Sequence, residues 1–274
     1  MEMEKKRVLI VTQEMNPYLD LSDIASAISD LPKYLQDQGM EIRILMPRFG
    51  NINERRHRLH EVVRLSGINI TVNDEDYPLI IKVASLPGAR LQVYFLDNEE
   101  FFKRKSVFTD KDEKSFDDND ERMLFFCKGV METVMKFGWA PDIIHCNGWM
   151  TSLIPMYLKT IYKDEPVFAK SKVIYSLYGD NFPGKLEDNF MSKDEIADQI
   201  EKDAVEFFVS GEFDGLYKGA SNYADALVIG SDSVSEDLSS IIQNKNGKPI
   251  LNYTENEDFL EGQHQFYQSL LEEK

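Results

Sequence analysis

The chain has 274 residues, of which 42% are hydrophobic, so it has enough apolar side chains for one large domain or two small ones. Its 48 acidic residues outnumber its 31 basic residues, and the formal net charge is −17. This balance argues against non-specific binding to nucleic acid or to anionic membranes, because both attract positively charged surfaces.

The start of the chain and its two cysteines bear on location. Residues 1–7 are charged and precede no long apolar run, so no secretory leader is expected. No segment approaches the roughly 20 consecutive apolar residues that span a bilayer. Cys127 and Cys146 each lie in an apolar stretch, which predicts two buried free thiols in a reducing compartment. A cytoplasmic location is therefore expected.

The first 46 residues predict a strand, a helix and a second strand. Residues 7–12 are a β-branched run typical of a buried strand, and residues 22–38 have apolar side chains at helical spacing. Ser22 or Asp23 fits the N-cap, Pro32 predicts a kink or a break, and Gly39 ends the helix. Because residues 41–46 form the next strand, this βαβ unit indicates a parallel sheet.

The middle of the chain has a different pattern. Residues 68–72, 79–83 and 91–96 are short strand-like runs, which predict an antiparallel insertion at the sheet edge. Residues 103–120 are heavily charged and predict a mobile surface loop. Further helices are predicted at 121–137, 150–162, two or three between 193 and 222, 231–242 and 258–272, and further strands at 143–146, 172–177 and 224–229.

This alternation predicts an α/β fold, a Rossmann-like doubly wound parallel sheet with an antiparallel β insertion. Residues 1–252 are expected to form one domain, and residues 253–274 a C-terminal helix that packs on it. The central parallel strands are expected near Val8, Ile42, Ile143, Ile174 and Leu227.

The segment PDIIHCNGWMTSLIP at residues 141–155 has the order of a buried strand, a tight turn and a helix start. It resembles the signature in the N-terminal domain of bacterial glycogen and starch synthases, as do other segments in the family's order. These are residues 7–35, LMPRFG at 45–50, VYFLDN at 93–98, FFKR at 101–104, DNDER at 118–122, FGWAPD at 137–142, and KGA with YAD at 218–225.

The resemblance implies the N-terminal half of a GT-B fold, in which two Rossmann-like domains enclose the active site. In that family the N-terminal domain mostly holds the glucan acceptor, and the C-terminal domain holds most contacts to ADP-glucose. Since 22 residues follow Asn252 here, the chain is expected to lack the C-terminal nucleotide-binding domain.

Two segments depart from the family pattern. The family's Lys-Thr-Gly-Gly-Leu aligns with Asp20-Leu21-Ser22-Asp23-Ile24, so an anion replaces the lysine that faces the nucleotide phosphates. The family's His-Cys-His-Asp-Trp aligns with residues 145–149, so Asn147 replaces the histidine that contacts the donor glucose. No catalytic residue is therefore assigned.

The resemblance implies a candidate ligand cleft, although local packing is a competing interpretation of its matched positions. Turn geometry and core packing compete for Pro17 and Trp149, and capping competes for Glu14 and Thr151. His145 is expected to satisfy a hydrogen bond inside the core. The candidate cleft residues are Glu14, Pro17, Asp20, Ser22, Asp23, Asn147, Trp149, Thr151 and Tyr178.

No metal and no cofactor are expected. The acidic run at residues 117–120 lacks the glycine and the terminal glutamate of an EF-hand, so a solvated acidic loop is predicted. His57 and His60 flank Arg58 and Leu59 in a basic loop, a spacing that does not by itself make a zinc site.

Three functional hypotheses stay open, because fold alone does not decide function. The first is a domain that is inactive alone, with a glucan-binding or regulatory role in glycogen metabolism and a glucan or maltooligosaccharide as partner. The second is a glucosyltransferase subunit that needs a partner chain for the donor half. The third is an interaction scaffold without a sugar ligand, acting through a protein partner or as a homo-oligomer. Exposed aromatic rings at Trp149, Tyr178 or Phe182 would favour the first over the third.

Overall fold

The structure is a computed structural model that describes residues 5–179, 184–232, 239, 241–242, 247–255 and 257–272. These residues include a ten-stranded sheet. In chain order its strands are β1 (Arg7–Thr12), β2 (Glu41–Pro47), β3 (His60–Glu61), β4 (Ile68–Val72), β5 (Glu75–Ser85), β6 (Gln92–Asp97), β7 (Ile143–Asn147), β8 (Lys172–Leu177), β9 (Ala226–Ile229) and β10 (Ile250–Leu251).

The sheet order is β10-β9-β8-β7-β1-β2-β6-β5-β3, with β4 paired to β5. Neighbouring strands from β10 to β6 are parallel, whereas β3, β4 and β5 are held by antiparallel pairs. The five predicted parallel strands are confirmed as β1, β2, β7, β8 and β9. The prediction that residues 91–96 belong to an antiparallel insertion holds for the pair of β6 with β5 and fails for its other side, where β6 pairs in parallel with β2. Five of its six residues are buried, as in a central parallel strand.

The described helices connect these strands. They are α1 (Asp23–Ala27), α2 (Leu31–Asp37), α3 (Glu54–His57), α4 (Glu99–Phe102), α5 (Asn119–Phe137), α6 (Ile154–Lys159), α7 (Lys202–Val205), α8 (Phe213–Tyr223) and α9 (Glu257–Glu272). The predicted helix 22–38 is split into α1 and α2, and Pro32 lies in the first turn of α2, where its missing N–H leaves no bond unmade. The hydroxyl of Ser22 caps α1 by accepting from the N–H of Ile24 at 3.3 Å.

Helices cover both faces of the sheet, as adjacent residues of β7 demonstrate. Successive strand residues point to opposite faces. His145 contacts Tyr267 of α9, while Leu96 of β6, which the strand register places on the face of the neighbouring Cys146, lies against Gly129 of α5. The two helices therefore lie on opposite faces, and both cysteines are buried free thiols as predicted.

The predicted mobile surface loop at residues 103–120 is exposed at residues 111–114 but is buried at residues 107–108 and 119–120. Val107 and Phe108 are buried, and the buried guanidinium of Arg122 donates to the carbonyl of Val107 at 2.6 Å. The side-chain amide of Asn119 donates to the carbonyl of Phe108 at 2.9 Å. The solvated acidic loop predicted at 117–120 is confirmed at the exposed Asp117 and wrong at Asn119 and Asp120, which are buried. A buried cation at the start of α5 thus anchors a charged segment that looks mobile in sequence.

Several predicted features fall outside the described residues. They are Phe182 and most of the helix predicted at 231–242.

The predicted helix 150–162 is shorter, since a single-turn helix at Trp149–Thr151 precedes α6. Within the described ranges, no helix combines the length and the apolar character needed to cross a membrane.

Candidate functional site

The loop that follows β1 closes on the carboxylate of Glu14. One carboxylate oxygen accepts from the N–H of Leu21 at 2.6 Å and from the N–H of Ser22 at 3.0 Å. The other accepts from the hydroxyl of Ser22 at 2.7 Å and from the amide of Gln13 at 3.2 Å. Burial raises the pKa of Glu14, and these hydrogen bonds oppose that rise. Glu14 therefore holds the start of α1 in a capping arrangement.

The turn after β7 depends on a glycine. Gly148 has φ +87°, and a Cβ atom there would lie 2.4 Å from the side-chain oxygen of Gln13. The hydroxyl of Thr151 donates to the carbonyl of Gly148 at 2.8 Å, which closes the turn that carries Trp149. An aspartate, which the family pattern has at this position, would face both the positive φ and the close contact with Gln13.

Asn147 is buried and bonded within the protein. Its side-chain oxygen accepts from the hydroxyl of Tyr178 at 2.9 Å, and its amide donates to the carbonyl of His145 at 3.3 Å. Tyr178 is itself buried, as is Trp149, so these two rings do not provide the exposed aromatic surface that would favour glucan binding over a scaffold role. The side chain that replaces the family histidine is therefore part of the protein core at the C-terminal end of β7.

A cavity of about 450 Å³ opens where β1 and β7 end, and we call it the Trp149 cavity. The ring of Trp149 packs against Phe108, with 4.9 Å between ring centroids. Phe213 and Tyr217 of α8 are in contact at 4.2 Å between centroids. The lining residues are Gln13, Glu14, Leu21, Ser22, Ile24, Asn51, Lys105, Ser106, Val107, Phe108, Thr109, Trp149, Phe213 and Tyr217.

The structure brings together some of the candidate cleft residues and separates others. Glu14, Ser22 and Trp149 line the Trp149 cavity, whereas Asp23 lines a second groove beside Asp30, Tyr253 and Glu257. Of the remaining candidates, Asn147, Thr151 and Tyr178 are buried, and Pro17 and Asp20 are exposed on the loop between β1 and α1.

Sequence reasoning missed the lining contributed by Phe108, Phe213 and Tyr217. The apolar pair Val107-Phe108 inside a charged stretch was the available signal, because such a pair needs a buried environment. Phe213 and Tyr217 are four residues apart, so they lie on the same face of α8.

Comparison with known proteins identifies the family. Residues 7–252 match the model of the starch synthase catalytic domain. The chain belongs to this family. The matched region contains every strand of the sheet and the whole lining of the Trp149 cavity, while α9 lies beyond it.

Glycogen synthases of Chlorobium species are among the similar proteins. The glycogen synthase of Chlorobium luteolum is 37% identical over 234 residues, which cover 83% of this chain and 46% of that protein. That of Chlorobium limicola is 35% identical over 247 residues, which cover 87% of this chain and 50% of that protein. The chain thus spans about half the length of the curated relatives that it matches.

A solved structure supports the fold. The catalytic domain of starch synthase IV from Arabidopsis thaliana, bound to ADP and acarbose, aligns with a TM-score of 0.71 at 17% sequence identity. The alignment covers 91% of this chain and 51% of that one. The predicted fold class, a Rossmann-like sheet corresponding to half of a starch synthase catalytic domain, is confirmed.

One of the four histidines of this starch synthase family member, His145, is held neutral. Its two ring nitrogens lie 2.6 Å from the hydroxyl of Tyr267 and 2.6 Å from that of Ser176. Burial lowers the pKa of His145 to about 3, from an ordinary value of 6.5. The expectation of an internally bonded core histidine is confirmed, and a group that stays neutral in this way contributes to pH-dependent stability.

We expect acid to destabilise the protein through His145. Below about pH 6.5 the unfolded chain binds a proton that the folded chain excludes down to about pH 3, so the free energy of unfolding falls as the pH falls through this window. Between about pH 6.5 and about pH 5.5, urea unfolding should show a loss about 1 kcal/mol larger for the native chain than for His145→Gln. Equal pH slopes for the two proteins would contradict this assignment.

Proposed function

We propose that this chain is a glucan-binding member of the starch synthase family that transfers no glucose by itself. The Trp149 cavity carries the proposal, because it combines aromatic rings with polar side chains. The half-buried Phe213 presents ring surface, and the exposed side chains of Asn51, Lys105 and Ser106 supply groups that hydrogen-bond. Glucose units have apolar ring faces and hydroxyl edges, and both parts fit such a lining. A cytoplasmic location is part of the proposal.

The proposal that the chain transfers no glucose by itself is supported by the polar side chains of Glu14, Asn147 and Asp20. Both oxygens of Glu14 and the side chain of Asn147 are used in hydrogen bonds within the protein. Asp20 places an exposed carboxylate on the loop where the resemblance implies a lysine. A carboxylate repels the phosphates of a nucleotide sugar, so this surface disfavours the donor.

A second candidate is half of a two-chain glucosyltransferase. The observation that favours it is the match of residues 7–252 to the starch synthase catalytic domain. In this alternative a separate chain supplies the donor half. The scaffold hypothesis without a sugar ligand is the outcome if no glucan binds.

Calorimetric titration tests the proposal. Maltoheptaose and glycogen should bind the full chain, whereas ADP-glucose and ADP should release no heat above dilution. The half-buried ring of Phe213 lines the Trp149 cavity, so Phe213→Ala should weaken maltoheptaose binding about tenfold, or about 1.4 kcal/mol.

The matched control is Tyr253→Ala, which removes a half-buried aromatic ring from the second groove. It should leave maltoheptaose affinity unchanged. An equal loss of maltoheptaose affinity in both variants would show that the glucan does not bind in the Trp149 cavity. Absence of any glucan binding, with a normal unfolding transition, would leave the scaffold hypothesis, and tight ADP-glucose binding would favour the two-chain enzyme.

A further inference from the structure

Arginine is concentrated in one short segment of this acidic protein. The chain has ten arginines, and Arg55, Arg56, Arg58 and Arg64 lie within ten consecutive residues. Lysines outnumber arginines about two to one in the whole chain, yet residues 55–64 contain no lysine. We call the surface formed by these four arginines and Val63 the arginine edge.

The arginine edge is held firmly by the residues between its arginines. Leu65 is buried, and Leu59 and Val62 pack against the core. The N–H of Leu59 donates to the carbonyl of Glu54 at 2.9 Å, and the N–H of Val62 donates to the carbonyl of Ile81 at 2.8 Å. The backbone of this segment is therefore ordered before any partner binds.

The outward side chains are charged or apolar and exposed. All four arginines are exposed. The side chain of Val63 is 77% exposed, which is the largest exposed fraction among the exposed large hydrophobic residues of the described part of the chain. The segment includes β3, which is the last strand at this end of the sheet order. An apolar side chain among guanidinium groups is typical of a protein–protein contact, in which arginine is enriched and lysine is depleted.

The four guanidinium groups are not used in internal ion pairs among the described residues. By contrast, two nearby cations, Arg48 and Lys82, are used in internal ion pairs. Arg48 pairs with Glu54, and the ammonium of Lys82 lies 2.7 Å from Glu54 and 2.8 Å from Asp97. Glu54 and Asp97 are thus paired with other cations, and the exposed Glu61 is the one carboxylate inside residues 55–64, so the four arginines keep an excess of positive charge for an external anion.

We propose that the arginine edge docks an acidic segment of another polypeptide. Guanidinium groups bind carboxylates with two parallel hydrogen bonds, whereas lysine acts as a point charge, so a lysine-free cluster fits carboxylate recognition. The net charge of −17 makes a second copy of this chain a poor partner, because two copies repel each other. The exposed apolar side chain of Val63 among the guanidinium groups favours a polypeptide with apolar as well as acidic side chains over nucleic acid. This inference is independent of the proposed glucan binding.

Fluorescence anisotropy tests the proposal with the full chain at low salt. The probe is a labelled peptide in which glutamates alternate with leucines, and its control has glutamine in place of each glutamate. The glutamate peptide should bind and the control should not. Replacing Arg55, Arg56 and Arg64 by glutamine should weaken binding about tenfold, and lysine at the same positions should weaken it less.

The matched control for charge removes three exposed lysines elsewhere, with Lys163→Gln, Lys170→Gln and Lys202→Gln, and should bind like the native chain. Equal weakening by this control, or no loss in the arginine variant, would overturn the proposal. So would oligothymidylate binding as tightly as the peptide through the same arginines. Absence of peptide binding would also overturn it and leave protection of the sheet edge as the role of the arginines.

Discussion

Removal of residues 256–274 is expected to cause aggregation or a large loss of stability. The described part of this segment is α9, which buries Phe259, Tyr267 and Leu270 against the domain. Burial of a large apolar side chain contributes about 1.5–3 kcal/mol, so three of them approach the roughly 5–15 kcal/mol that stabilises a typical domain. The truncation also leaves one ring nitrogen of His145 without the hydroxyl of Tyr267. Sedimentation velocity and urea unfolding of the truncated chain measure the effect.

Two point variants distinguish the effect of the contact between Tyr267 of α9 and His145 from the effect of removing the whole segment. Tyr267→Phe removes the hydroxyl beside His145 and should cost about 1–3 kcal/mol of unfolding free energy, because a buried polar atom loses its partner. Gln268→Ala changes an exposed neighbour on the same helix and should stay within about 0.5 kcal/mol of the native chain. Unchanged solubility and melting temperature after truncation would show that α9 does not protect this face.

Hydrophobic periodicity predicted the main sheet because parallel strands are buried on both faces and read as continuous apolar runs. It did not predict the partner of β6, since a short apolar run contains no information on whether its neighbour runs parallel or antiparallel. The break between α1 and α2 was predicted, because Pro32 has a fixed local effect on a helix. Local chemistry was therefore a better guide than the grouping of strands.

Long-range contacts explain why the site was only partly predicted. Residues 103–120 are rich in charge, yet Arg122 and Asn119 hold the carbonyls of Val107 and Phe108 and turn this stretch into a wall of the Trp149 cavity. A buried arginine bonded to carbonyls has no signature in composition. The candidate cleft as a whole stays a prediction, since its residues divide between the Trp149 cavity, the second groove, the core and the exposed loop.

The absence of glucosyl transfer is the second prediction with a large expected effect. The purified chain, incubated with radiolabelled ADP-glucose and glycogen, should incorporate no more label than a heat-killed sample. Asp20 stands where the resemblance implies a cation that faces the phosphates, and Asn147 stands where it implies a histidine that contacts the sugar. Loss of one preorganised hydrogen-bond donor typically costs about 3–4 kcal/mol of transition-state stabilisation, or 10²–10³ in rate.

Restoring both side chains should not restore transfer. In Asp20→Lys/Asn147→His, Ser22 and Asp23 still stand where the family pattern has two glycines beside the lysine, and the new histidine replaces a side chain that is bonded to Tyr178 and the carbonyl of His145. The glycogen synthase of Chlorobium luteolum, about twice the matched length, provides the positive control in the same assay. Label incorporated by the unmodified chain alone, above the heat-killed sample, would contradict the proposed inactivity. Incorporation that appears only after a second protein is added would instead support the two-chain glucosyltransferase, because the retained half would then supply the acceptor side of the reaction.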